Sequence, residues 1–104
     1  MSREGKEMKY LALWEMKPKN MDAVIKKYQE LLAAREKGSK KYPTQPISDN
    51  YAFTGQYKGF IIYGDDTTED QLLNVSLHFG ELMNWKFKPI SSASKTIPLY
   101  LKSK

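Results

Sequence analysis

The sequence predicts a single α+β domain in which the elements follow one another in the order β-α-β-β-α-β. Short runs with alternating apolar residues, typical of strands, lie within residues 8–16, 47–65 and 85–89. Between these runs, apolar residues recur at three- and four-residue steps, as on one face of an amphipathic helix. The chain has 104 residues, 40% hydrophobic and 28% charged, which suits one globular domain rather than a disordered chain.

The first strand is predicted over residues 8–16, after a flexible N-terminal tail of residues 1–7. One of its faces carries Tyr10, Ala12, Trp14 and Met16, and the other carries Lys9, Leu11, Leu13 and Glu15. Because both faces hold large apolar groups, we expect a central strand that is at least partly covered on both sides.

The first helix is predicted between Pro18, which breaks the strand, and Gly38, which favours a helix end. Asn20 is a suitable N-cap residue. The apolar stripe of this helix consists of Met21, Val24, Ile25, Tyr28, Leu31, Leu32 and Arg35. Residues 39–46 then form a polar loop with two prolines.

A β-hairpin is predicted from residues 47–57 and 60–65, with its turn at Lys58-Gly59. Tyr51 and Phe53 share one face of the first arm. In the second arm, alternating apolar residues again occupy both faces.

The second helix is predicted to begin in the acidic segment 65–70, where Thr68 and Gln71 match a capping box. The acidic residues suit the positive end of a helix better than they suit a cation site, because they lack the glycine and distal glutamate of a calcium loop. The predicted buried side comprises Leu72, Leu73, Ser76, Leu77, Phe79, Gly80 and Met83. The predicted solvent side comprises Asp70, Asn74, His78 and Glu81. We therefore expect His78, the only histidine, to face solvent and to be dispensable.

The fourth strand is predicted where Trp85, Phe87 and Pro89 alternate with Lys86 and Lys88. It completes a domain over residues 8–92, followed by a C-terminal extension, 93–104, with one apolar patch at 97–101. The element order is that of the ferredoxin-like split β-α-β arrangement, a four-stranded antiparallel sheet with two helices on one face.

Such a sheet has one face without helices, and this sequence places apolar residues there. An apolar patch of that kind marks an interface or a ligand site. Two sheets packed face to face would cover it, so we expect a homodimer through the sheet face, as in a dimeric α/β barrel.

The sequence also resembles an uncharacterised prokaryotic domain-of-unknown-function family of the dimeric α/β-barrel superfamily. The resemblance covers about residues 8–92 and is carried by segments 8–15, 59–62 and 84–90, by Pro18 and by Asp65-Asp66. It implies a ferredoxin-like fold and a homodimer, and it supplies no catalytic residue. The lysine-rich linker after the first helix and the longer C-terminal tail depart from the family pattern.

Composition excludes several kinds of chemistry. Without cysteine there is no disulfide, thiolate metal site or cysteine nucleophile. One histidine is too few for a tightly held transition metal, so we expect neither a metal nor another cofactor. The apolar runs are too short to cross a bilayer, and the polar N-terminus does not look like a signal peptide, so we expect a cytoplasmic protein without a membrane partner.

The net charge of +5 is spread along the chain, which favours a solvated surface over a binding site for nucleic acid. The segment Lys58-Gly59-Phe60 bears a superficial likeness to an RNA-recognition motif, but bulky Ile61 stands where a small residue is needed. Nucleic-acid binding, if it occurs, should be weak.

The sequence predicts a small apolar or aromatic ligand held in a pocket between sheet and helices. The candidate ligand-binding residues are Tyr10, Trp14, Glu15, Tyr51 and Trp85, with Asn84 as a further polar contact. The alternatives are a cofactor-independent oxygenase or isomerase-like enzyme that uses the same pocket, and a weak nucleic-acid-binding module. Whether the chain catalyses a reaction stays open at this point.

Overall fold

The computed structural model describes residues 9–44 and 46–103 and confirms an α+β architecture. Its strands are β1 (Lys9–Met16), β2 (Tyr51–Ala52), β3 (Lys58–Tyr63) and β4 (Met83–Ile90), and its helices are α1 (Met21–Glu36), α2 (Glu69–Phe79) and α3 (Ala93–Lys102). Short 3-10 turns precede α1 and follow α2. The tail predicted over residues 1–7 lies outside the described residues.

The four strands form one antiparallel sheet in the order β2-β3-β1-β4. Strand β1 pairs with both β3 and β4, which confirms its predicted central position. Trp14 lies opposite Gly59 on one side and opposite Trp85 on the other. Directly opposed side chains of an antiparallel pair point to the same face, so this register brings the two tryptophans together.

Both α1 and α2 pack on the sheet face that carries Trp14, and the hydrophobic core lies between these layers. The buried residues of the sheet are Ala12, Trp14, Ile61, Tyr63 and Met83, and those of the two helices are Val24, Leu31, Leu72, Val75 and Phe79. Each fully buried side chain of this size stabilises the fold by about 1.5–3 kcal/mol.

The hairpin turn is displaced from its predicted position at Lys58-Gly59, because both residues belong to β3. The chain turns earlier, at Gly55, whose φ of 77° favours glycine. Gly59 has a different role: a Cβ there would clash first with the backbone carbonyl oxygen of Tyr51 in β2, and it would lie 2.7 Å from Cζ2 of Trp14. This glycine marks a close packing contact, and the prediction interpreted it as a turn residue.

The capping box at the start of α2 is confirmed. The backbone N–H of Gln71 donates to the Thr68 hydroxyl at 3.2 Å, and the backbone N–H of Thr68 donates to the Gln71 side-chain oxygen at 2.9 Å. Gly38, with φ of 90°, follows the end of α1 as predicted. Asn20 stands at the N-cap position of α1, but its side-chain amide donates to the carbonyl of Leu82 at 3.4 Å.

The predicted orientation of α2 is wrong in part. Leu72, Val75 and Phe79 are buried, whereas Leu73 and Leu77 are exposed, Leu77 to 76%. Apolar residues occupy more than half of the circumference of this helix, so the periodicity is compatible with two neighbouring orientations. The structure adopts the one that buries Val75.

The C-terminal extension forms helix α3, which the sequence analysis did not predict. The Ser92 hydroxyl accepts a hydrogen bond from the backbone N–H of Ser94 at its start. Every residue of α3 is exposed, including Ile97 and Leu101. No helix of residues 9–44 and 46–103 is both long enough and apolar enough to cross a membrane.

Candidate functional site

A cavity of about 170 Å³ lies between α1, α2 and the helix-covered face of the sheet. Its walls are mainly apolar, and they include Trp14, Trp85, Ile61, Val24, Val75 and Phe79. For comparison, a dry engineered cavity of about 150 Å³ in another protein binds benzene. The space therefore suits a molecule with one aromatic ring or an aliphatic group of similar size.

Two tryptophans contribute to the sheet side of this cavity, and their indole N–H groups differ in hydrogen bonding. Trp14 donates from Nε1 to Oδ1 of Asn50 at 2.7 Å. The Nε1 of Trp85 is buried without an acceptor among the described residues. The Trp85 ring stacks on Phe87 at a centroid distance of 5.8 Å and lies 5.6 Å from the ring of Phe79. A buried donor without a partner costs free energy.

A polar group of side chains also adjoins the cavity, where Arg35, Tyr28 and Tyr63 contribute to its lining. The guanidinium Nε of Arg35 donates to the carbonyl of Pro43 at 2.9 Å, which fixes the side chain. Arg35 takes part in no ion pair among residues 9–44 and 46–103. It is a half-buried cation with donors to spare.

Tyr63 is almost fully buried, and burial raises the pKa of its phenol to about 12. The nearby positive charge of Arg35 opposes this rise in pKa, and Tyr28 adds to it. Tyr63 is therefore a neutral phenol at physiological pH, able to donate a hydrogen bond and poorly suited to act as a base.

The structure brings two of the predicted ligand-binding residues together, Trp14 and Trp85. Tyr10 lies on the same sheet face but does not line the cavity. Glu15 and Tyr51 are exposed, and neither lines this cavity. Tyr51 packs on the ring of Phe60 at 5.4 Å, on the sheet face without α1 and α2.

Sequence reasoning missed the polar contribution of Arg35 and Asn50. Arg35 was placed in the apolar stripe of the first helix, and a charged residue in such a stripe is itself a signal for a charge at a core or cavity boundary. Asn50 carries no comparable signal, because its role depends on a contact with Trp14, which is distant in sequence. The predicted polar contact Asn84 is exposed and does not line the cavity.

The predicted solvent exposure of His78 is wrong. Its side chain is only 13% exposed. One ring nitrogen, Nε2, lies 2.8 Å from the carbonyl of Lys27, and Nδ1 lies 3.3 Å from the hydroxyl of buried Tyr42. Since a carbonyl can only accept, Nε2 donates, and in the neutral ring Nδ1 accepts from Tyr42. His78 thus joins α2 to α1 and to the loop that follows α1, and it does not itself line the cavity.

The loop after α1 is fixed to the helices, although the sequence suggested only a polar linker. Tyr42 and Pro43 are buried. Side-chain amides of α2 donate to its backbone, from Gln71 to the carbonyl of Lys40 and from Asn74 to that of Lys41, each at 3.0 Å. This fixed loop supplies the carbonyl that holds Arg35 in place.

The opposite sheet face remains partly exposed. Leu11 and Leu13 of β1 lie beside Ile62 and Phe60 of β3, and all four are only half-buried. The lysines on this face, which follow from the register, are Lys9, Lys58, Lys86 and Lys88. The face is thus apolar at its centre and basic towards its margins.

Among residues 9–44 and 46–103, no group of three or more histidine, aspartate or glutamate side chains is arranged to hold a metal ion. The acidic segment at the start of α2 caps the helix, and its Asp65 pairs with Lys9 at 3.2 Å.

Comparison of the chain with protein-family models, with curated proteins and with solved structures finds no match. The geometry of the cavity and of the exposed sheet face is therefore the basis for assigning a function to the protein.

Proposed function

We propose that this protein is a homodimeric domain that binds a small apolar or aromatic molecule in the cavity between sheet and helices. The observation that supports binding is the cavity of about 170 Å³, which is lined by Trp14 and Trp85. An apolar cavity with a few polar groups is the usual form of a small-molecule site.

The binding test uses toluene, followed by tryptophan fluorescence, because both tryptophans of the chain line the cavity. We expect a saturable change in fluorescence and a rise in the unfolding midpoint with toluene concentration. Val24→Phe should fill the cavity and abolish both effects. Leu77→Phe makes a similar change on the exposed surface of α2 and should leave both effects intact. Absence of any saturable response in the unsubstituted protein would refute ligand binding of this kind.

The proposed fold family is the ferredoxin-like one, within the dimeric α/β-barrel superfamily. The element order β-α-β-β-α-β and the strand order β2-β3-β1-β4 with all neighbours antiparallel support it, because the split β-α-β arrangement has this topology. The exposed α3 lies beyond that pattern.

Dimerisation is proposed to occur through the sheet face that α1 and α2 leave uncovered. Burial of Leu11, Leu13, Phe60 and Ile62 against their counterparts in a second copy would remove an apolar surface from water. At micromolar concentration, light scattering should give about twice the chain mass of 12.1 kDa. Leu13→Lys should produce monomers, whereas Leu77→Lys should not. A mass near that of one chain across the micromolar range would contradict the dimer.

An oxygenase or isomerase-like enzyme acting in the same cavity is a weaker proposal. Among the described residues, the ionisable side chains that line the cavity are Tyr28, Arg35 and Tyr63. Because its pKa is raised to about 12, the phenol of Tyr63 stays protonated, so it donates a hydrogen bond and does not act as a base. Such chemistry would need a base supplied by the substrate or by another part of the protein, so we place binding first.

Weak nucleic-acid binding is a second candidate, favoured by one observation. The uncovered sheet face combines exposed aromatic rings, Tyr51 and Phe53, with Lys58, Lys86 and Lys88. Any complex with single-stranded RNA should dissociate steeply with salt and lack sequence preference. A salt-resistant, sequence-selective complex that Lys86→Gln abolishes would instead make RNA binding the main function.

A further inference from the structure

The charge of Arg35 indicates which class of ligand the cavity binds. Arg35 is the only charged side chain among the described residues that line the cavity. It is also the only arginine of the described chain, whereas the exposed cations are lysines. Guanidinium groups suit carboxylates because they present paired donors in one plane.

The guanidinium is held in position before any ligand arrives. Its Nε donates to the carbonyl of Pro43, a buried residue of the fixed loop, so the side chain has already lost much of its freedom. The two terminal nitrogens have no partner among the described residues. A half-buried cation without a counter-charge is unfavourable, and an anionic ligand would lower its free energy. Because the cation is already ordered, binding would cost little additional side-chain entropy.

We infer that the cavity binds a small aromatic carboxylate, with the ring among Trp14, Trp85 and Phe79 and the carboxylate at Arg35. Tyr63 lines the same cavity, and its neutral phenol is a second hydrogen-bond donor for such a ligand. The cavity volume limits the molecule to about one ring with a short acidic side chain. This inference rests on the proposed binding function and adds the charge of the ligand to it.

The cavity lining also disfavours cationic ligands and ligands with more than one negative charge. No carboxylate of the described residues lines the cavity, so an ammonium ligand would meet only Arg35 and be repelled. A single fixed cation in a largely apolar space matches one negative charge. A second charge on the ligand would lose its hydration without a partner.

The experiment compares phenylacetate with phenylacetamide, which has nearly the same shape and no charge, by calorimetric titration. The pair 3-phenylpropionate and 3-phenylpropionamide repeats the comparison one methylene longer. We expect each acid to bind at least about tenfold more tightly than its amide, because a charge-assisted pair replaces a neutral contact. The advantage should shrink as salt is added.

Arg35→Met should remove the preference for acids over amides and leave the affinity for the amides unchanged. Arg35→Lys should retain part of the preference for acids. Lys26→Met removes one charge from the exposed surface of the same helix and should change nothing. Circular dichroism of each variant establishes that it is folded. The acid-to-amide ratio of the unsubstituted protein is decisive even if Arg35→Met does not fold.

The outcomes separate the two levels of the proposal. Equal or tighter binding of the amides, with toluene still bound, would overturn the carboxylate inference and leave the binding function in place. No binding of acids, amides or toluene would overturn both.

Discussion

Replacement of His78 by alanine should destabilise the protein by about 2–3 kcal/mol. This value is the sum of the contacts that the substitution removes. Two hydrogen bonds are lost, from Nε2 to the carbonyl of Lys27 and from the hydroxyl of Tyr42 to Nδ1, each contributing about 1 kcal/mol. The ring also lies 5.3 Å from the rings of Tyr42 and Phe79, and such contacts contribute up to about 1 kcal/mol more.

The assay is urea and thermal unfolding followed by circular dichroism. For a domain of this size, each kcal/mol corresponds to about 4–8 °C in the unfolding midpoint. Tyr42→Phe serves as the matched variant, because it removes one hydroxyl hydrogen bond and retains the ring. It should cost about 1 kcal/mol, and the double variant should lose less than the sum of the two single changes.

A surface histidine behaves differently, and this makes the experiment decisive. An exposed side chain without such contacts changes stability by no more than about 0.5 kcal/mol on substitution. A loss that small for His78→Ala, together with strict additivity with Tyr42→Phe, would refute the assignment of His78 as a link between the helices and the loop.

Three further predictions follow from single contacts. Gly59→Ala should destabilise the protein by about 1–3 kcal/mol or more, since its Cβ would collide with the backbone carbonyl of Tyr51 in β2 and with the indole of Trp14 in β1. Unfolding in urea measures this loss, and an unchanged midpoint would contradict the packing. Thr68→Ala should destabilise the protein by about 1 kcal/mol because the N-cap hydrogen bond is lost, whereas Thr68→Ser should retain most of the stabilisation by the cap. Thermal unfolding compares the two variants, and equal midpoints would argue against the cap. Tyr63 should ionise with a pKa of about 12 in the folded protein, above the value near 10 of an unfolded tyrosine. As pH rises from about 10 to about 12, the unfolded state therefore loses the proton first, and the free energy of unfolding should fall. Tyr63→Phe should reduce that decline in unfolding free energy, and an unchanged pH dependence would contradict the burial of the phenol.

The sequence predicted elements whose signals are local. The Thr68–Gln71 capping box, the helix end at Gly38 and the alternation in β1 each depend on residues a few positions apart, and each is found as predicted. Such patterns are readable because the hydrogen bonds or faces that they define lie within one element. Such local patterns predicted α1, α2 and the strands, but not α3.

Features that depend on distant partners could not be read in this way. The orientation of α2 was ambiguous because leucines surround it, and only packing against β1 and α1 selects the face with Val75. His78 has polar neighbours in its own helix, yet its partners are Lys27 and Tyr42, 51 and 36 positions away. Gly59 resembled a turn glycine because a sequence does not show that the Tyr51 backbone and the Trp14 indole, both from other strands, occupy the space of its side chain.

The candidate site shows the same division between local and distant information. Trp14 and Trp85 were predictable, since alternation places both on one face of their strands and a central strand brings neighbours together. The position of the Arg35 charge was not predictable, because the orientation of this side chain depends on the loop that follows its own helix. That loop carries buried Tyr42 next to Pro43, and the contact of Tyr42 with His78 anchors it to α2. The hydrogen bond from Arg35 to the carbonyl of Pro43 therefore depends on an anchored loop. In this way a helix contact outside the cavity helps to set the position of Arg35, the one charged side chain among the described residues that line it. This dependence links the stability of the fold to the chemistry that we assign to the ligand.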